Sequence, residues 1–200
     1  AHADTYPRQP GVDARHYVFR LTLLTSDSSE IQGEATVTLR VLAAGLREIA
    51  LDLATPRADA KGMTVTEVAA SAGPVPFTHL DNRLRLTLPA GLAAGQEVTF
   101  TITYRGIPAD GLRLINNIHG ERTAFSENWY NRARQWLPMI DHVADKATGE
   151  FIVTTRADPA LADGLARDIA ARLWTERGRY VPNLTSLEDA TRLAHACGKD

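Results

Sequence analysis

Between Tyr17 and Thr103 apolar and polar residues alternate with period two, run after run. Successive side chains of a strand point to opposite faces, so this alternation marks half-buried strands with one face in a core and the other in water. Tyr17, Phe19, Leu21 and Leu23 share one face, with Val18, Arg20, Thr22 and Leu24 on the other. Ala35, Val37, Leu39 and Val41 point inward while Glu34, Thr36, Thr38 and Arg40 point outward. Leu84, Leu86 and Leu88 alternate with Arg83, Arg85 and Thr87, and Val98, Phe100, Ile102 and Tyr104 repeat the rule. Turn-forming residues separate these runs at Ser26-Asp27-Ser28-Ser29, Ala44-Gly45, Gly73-Pro74, Asp81-Asn82 and Ala94-Gly95. Many short strands joined by tight turns predict an antiparallel β-sandwich or a saddle-like sheet.

The pattern changes after Thr155. Asp158 followed by Pro159 reads as a helix N-cap with proline at the first helical position, where its missing N–H costs nothing. Leu161, Leu165, Ile169 and Leu173 recur every four residues, and Gly178 supplies the left-handed conformation that ends helices. Thr185 and Glu188 form a capping box for a second helix striped by Leu187, Ala190, Leu193, Ala194 and Cys197. The expected fold class is mainly β with a C-terminal α-helical hairpin, divided into a β-domain over 1–155 and a hairpin over 156–200 packed on it. A striped helix gains little by standing free in water.

A formal charge of −2 and a pI near 6.3 give no electrostatic case for nucleic acid or an anionic membrane as partner. The lone Cys197 excludes an internal disulfide and any multi-cysteine zinc site. No apolar run approaches the length of a membrane span, and the polar, proline-bearing Ala1 to Pro10 stretch is not a signal peptide. The expectation is a soluble protein, cytoplasmic or exported with its signal already removed.

The most specific stretch is Asn128-Trp129-Tyr130-Asn131-Arg132-Ala133-Arg134-Gln135-Trp136-Leu137-Pro138, continuing through Asp141-His142-Val143-Ala144-Asp145-Lys146-Ala147-Thr148. It resembles the end of the N-terminal β-domain of the aminopeptidase N-like zinc peptidases. Their bacterial members carry a similar run of Asn-Trp, Arg-Ala-Arg, Trp-Leu-Pro, Asp-His and Asp-Lys-Ala-Thr just before the catalytic domain. His16-Tyr17, Gly33, Leu51-Asp52-Leu53 and Tyr104-Arg105-Gly106-Ile107-Pro108 fit the same pattern, so the resemblance covers about residues 14–154. In that family zinc is held later in the chain by H-E-x-x-H, two His on one helix face with Glu as general base. No H-E-x-x-H occurs in these 200 residues. The family also continues in β-structure after this point, whereas residues 155–200 are similar to a segment of the microcystinase C-like metallopeptidases. Together these imply a fragment or chimera of zinc metallopeptidase sequences, with the junction near Val153 to Thr155.

The resemblance implies that this domain anchors the free amine of the substrate through a carboxylate or amide shortly before the Ala133-Arg134 pair. Trp129 stands where many members have Glu, with Glu127 and Asn128 beside it, and Glu127 is favoured because a cation needs a negative partner. Asp141, His142 and Asp145 form a D-H-x-x-D cluster, and His119 with Glu121 is a second carboxylate–imidazole pair. Such groups bind metals or move protons near neutral pH, but ligands must converge, and adjacent residues of an extended chain point apart. Trp129, Tyr130, Trp136, Leu137, Met139 and Ile140 crowd apolar area into a short stretch, which predicts a homodimer through the face that would meet a catalytic domain. The leading expectation is a non-catalytic binding or interaction module without cofactor. The alternative is a weak hydrolase of esters, phosphoesters or peptides, working with or without a divalent metal such as zinc and built from His119, Glu121, Asp141, His142 or Asp145.

Overall fold

The computed structural model describes residues 9–23, 28–120, 122–129, 131–142 and 144–155. The chain divides into two compact units, Ala1–Ala157 and Asp158–Asp200. The expected helical hairpin falls in the second and lies outside the described residues, among which no α-helix occurs.

Among the described residues eleven strands follow in order: β1 Val12–Leu23, β2 Ile31–Val41, β3 Leu46–Asp52, β4 Gly62–Ala70, β5 Gly73–Pro74, β6 Phe77–Leu80, β7 Arg83–Leu92, β8 Glu97–Ile107, β9 Leu112–Asn116, β10 Arg122–Ser126 and β11 Thr148–Thr155. One sheet has the order β11-β1-β2-β8-β4-β5, a second β3-β7-β6, and β9 pairs with β10 alone. The alternation fixes which side of each strand is dry. Tyr17, Phe19 and Leu21 of β1 meet Ala35, Val37 and Leu39 of β2, Phe100, Ile102 and Tyr104 of β8, and Leu84, Leu86 and Leu88 of β7 in one buried cluster. Asp81 and Asn82, read as a turn from sequence, both take positive φ, as a tight hairpin between β6 and β7 requires.

One expectation is corrected in the larger sheet. All its pairings are antiparallel except β1 with β11, which run parallel with Phe19 opposite Phe151 and Leu21 opposite Val153. Parallel neighbours need a long crossover, and everything between β1 and β11 supplies it, so the sheet is mixed rather than purely antiparallel. Gly33 earns its place by contact, since a Cβ there would stand 2.3 Å from the ring of Tyr104, which lies over β2. Only a residue without a side chain admits that ring.

Candidate functional site in the crossover segment

The crossover from β10 to β11 carries nearly every residue singled out for chemistry, and two layers of polar contacts shape it. The outer layer centres on Arg132, whose guanidinium pairs with Glu127 and, through Nε, with Asp110 Oδ2 at 3.3 Å. Glu127 Oε1 accepts the Trp129 N–H at 2.7 Å, and the Glu127 N–H donates to the Gly111 carbonyl at 2.8 Å. Asn128 Oδ1 accepts the indole N–H of Trp136 at 2.9 Å. Gly111 takes φ +80°, where a Cβ would stand 2.6 Å from the Arg132 carbonyl oxygen, so glycine is required for the loop to close this tightly.

The inner layer is buried. Arg134, 7 % exposed, donates its backbone N–H and its Nε–H to Asp141 Oδ2, each at 3.1 Å. Asp52 at the end of β3, 1 % exposed, pairs with Arg83 of β7 and accepts the Asp141 N–H through Oδ2 at 3.0 Å. Backbone bonds between Asp52 and Met139 run in both directions at 2.7 and 3.2 Å, and Tyr17 Oη accepts the Ile140 N–H at 3.1 Å. A buried charge persists only when paired and hydrogen-bonded, and this layer meets that condition. Burial pushes the Tyr17 hydroxyl pKa well above its ordinary value, the Ile140 N–H opposing and Asp145, Asp52 and Asp141 adding to the rise.

Four of the five catalytic candidates lie among the described residues, and each takes part in a hydrogen bond. Asp141 is spent on the Arg134 clamp. Asp145 accepts the Ala14 N–H through Oδ1 at 3.1 Å and ties the segment to β1. Burial raises its pKa, the Ala14 N–H opposes, Asp13 adds to the rise and His142 lowers it. His142 Nδ1 accepts the Ala144 N–H at 3.0 Å within a turn. His119 sits exposed on the turn between β9 and β10, where its N–H bonds Asn117 Oδ1 at 2.9 Å, and Glu121 lies outside the described residues. Among the described residues no group of three His, Cys, Asp or Glu side chains is placed to hold a metal, so this donor set does not fit zinc.

The residues expected at an interface differ in exposure. Trp136, Leu137 and Ile140 are 3, 2 and 3 % exposed, and Met139 is half-buried against the same core. Their cover comes from the domain itself. Phe151 of β11 lies 6.3 Å from the Trp136 ring and 5.2 Å from that of Phe19, which stacks on Tyr17 at 5.6 Å. Trp129 alone of the group is exposed, at 78 %, and Tyr130 lies outside the described residues. Apolar grooves of about 340 and 550 Å³ open on either side of Phe151 and share Asn128 and Phe151 as lining.

Sequence reasoning gave no role to Asp52, Arg83 and Asp110, which hold the segment. The signal was an acid between two leucines at Leu51-Asp52-Leu53, because a carboxylate inside an apolar run must be buried beside a cation. No helix among the described residues is long and apolar enough to cross a membrane.

Comparison with known proteins follows the same geometry. The sequence profile of the Peptidase M1 N-terminal domain matches residues 13–168, running past Thr155, where the sequence analysis sets a junction. The M1 zinc metallopeptidase from Deinococcus radiodurans is 27 % identical with a TM-score of 0.59, over 74 % of this chain and 33 % of that one. A mutant two-domain M1 zinc metallopeptidase bound to L-arginine is 25 % identical with a TM-score of 0.59, again over 74 and 33 %. Yeast LTA4 hydrolase, 18 % identical over 73 % of this chain and 23 % of its own, shares the fold with a TM-score of 0.58. The chain thus spans about a third of the length of the Deinococcus enzyme. No curated protein matches it in sequence. With a profile over most of the chain and the strands to carry it, the chain belongs to the Peptidase M1 N-terminal domain family.

Proposed function

We propose that this domain is a non-catalytic module that braces a zinc-peptidase catalytic domain and presents Trp129 to the amino-terminal end of a peptide substrate. The supporting observation is one exposed aromatic side chain on a loop pinned from beneath. Trp129 is 78 % exposed, yet its N–H is held by Glu127, which Arg132 and Asp110 fix in turn. A rigid aromatic face binds apolar and cationic groups at low entropic cost. Glu127 was the favoured amine anchor, but its carboxylate already serves Arg132 and the Trp129 N–H, so it positions the loop. Related M1 enzymes bound to L-arginine, to L-tryptophan and to a Tyr-Ser-Ala substrate show the ligand class to try. Zinc and the activation of water belong, on this reading, to the H-E-x-x-H domain that this domain braces.

The test joins residues 1–155 to the catalytic domain of the Deinococcus enzyme in place of its own N-terminal domain. Turnover of aminoacyl anilides is expected from the fusion and not from the 200-residue chain. Trp129→Ala in the fusion should raise KM several-fold with kcat nearly unchanged. Chelator-sensitive turnover by the 200-residue chain alone, or an unchanged KM in Trp129→Ala, would overturn the reading.

A further inference from the structure

We propose that two copies of this chain join edge to edge through β11, antiparallel and centred on Ile152. β11 is the last strand of the six-stranded sheet and, among the described residues, pairs only with β1. All eight of its residues are exposed, including Phe151 at 56 %, Ile152 at 44 % and Val153 at 57 %. A long edge with apolar residues at its centre is a template for another strand, and proteins ordinarily blunt such edges with proline, lysine, a bulge or shortness. β11 has none of these. Its only charge is Glu150, its pairing with β1 has no register shift, and it is eight residues long. The opposite edge of the same sheet, β5, is two residues long and includes Pro74.

The sequence of the strand also selects its partner. With Ile152 facing its own copy across a twofold axis, Phe151 lies opposite the partner's Val153 and Glu150 opposite the partner's Thr154. Phe151 and Val153 share the face of Phe19 and Leu21, their neighbours on β1, so the apolar face continues across the join. Aromatic and β-branched residues directly opposite each other are favourable cross-strand pairs. Centring one residue earlier sets Val153 against Gly149 and Ile152 against Glu150, and centring on Glu150 opposes like charges. Centring between two residues sets inward side chains against outward ones. Only the Ile152 register keeps apolar against apolar on the inner face without a like-charge clash. This interface differs from the one expected near Trp136 and Leu137, which are buried. A strand pair alone falls below the roughly 1,000 Å² of a stable interface, so the association is weak and concentration-dependent.

The test is sedimentation equilibrium of the full 200-residue chain over micromolar to near-millimolar concentration, with Ile152→Lys and Ile152→Glu as variants. Wild type should move from monomer toward dimer mass across the range. Each variant opposes like charges at the twofold and should stay monomeric, while an equimolar mixture of the two should regain dimer mass, since only this register brings position 152 against itself. Amide exchange gives a readout that needs no substitution, because protection of β11 amides should rise with protein concentration. Wild type that stays monomeric throughout, variants that dimerise as wild type does, a mixture that stays monomeric, or β11 protection independent of concentration each overturns the proposal.

Discussion

The strands from β1 to β8 and the crossover from Glu127 to Thr148 are held by different physics. In these strands, apolar side chains fill one core, and polar residues face water with few specific partners. In the crossover, backbone and buried charges are tied in a shared network, Arg134 with Asp141, Asp52 with Arg83, and the Asp141 N–H with Asp52. The first arrangement tolerates exchange of one apolar residue for another. The second is less tolerant, because each removal takes a hydrogen-bonded partner from a buried charge.

That contrast is broken most directly at Asp141. Asp141→Ala removes the carboxylate that accepts the Arg134 N–H and Nε–H, leaving the guanidinium its bond to the carbonyl of residue 141, and should lower unfolding free energy by about 3–5 kcal/mol, the usual cost of breaking a buried pair. Glu127→Ala removes an ion pair whose side chains are 44 and 43 % exposed and should cost no more than about 1 kcal/mol. Urea denaturation of the two variants measures the difference. Equal losses would mean that burial does not separate the inner layer from the outer.

Gly33→Ala probes the sandwich by the same measurement. A Cβ at that position must push the Tyr104 ring from its site, and overpacking of this kind costs about 1–3 kcal/mol. Tyr104→Ala in the same chain should then recover little, since it leaves a cavity instead. A Gly33→Ala loss larger than that of Asp141→Ala would reverse the order of the two regions.

The two regions also differ in how far the sequence foretold them. Alternation predicts a strand face because a single rule, period two, acts on every residue, and Leu84, Leu86 and Leu88 obey it to within a few per cent exposure. The parallel return of β11 beside β1 was out of reach, because pairing between positions as distant as His16 and Thr148 leaves no local mark. In the crossover the motif marks the segment, and Arg132 and Arg134 form ion pairs with Glu127, Asp110 and Asp141. Asp141 and His142 are candidate ligands only under the hydrolase alternative, and residue type alone does not tell whether such a group faces an ion, the Arg134 guanidinium or the Ala144 N–H. The burial of Trp136 was out of reach in the same way, because its neighbours are Phe151 and the buried cluster that includes the inner face of β1.

The smallest effect lies where the sandwich touches the crossover's support, at His79 of β6. Its Nε2 stands 3.0 Å from the Leu53 carbonyl, an oxygen that only accepts, so Nε2 carries a proton. Burial lowers the imidazole pKa, and the bond to Leu53 opposes in part. The unfolded chain therefore takes up the proton first as pH falls. The stability that this group contributes is complete above the ordinary imidazole range near 6.5 and declines through and below it. Asp145 works in the opposite sense at lower pH, since its raised pKa means that the folded state takes up that proton first. Urea midpoints between pH 8 and 5 should drift downward in the wild type and less in His79→Gln, which retains an N–H for Leu53. A wild-type midpoint that is flat across the window, or a slope unchanged by the substitution, would show that His79 pays no burial penalty on protonation.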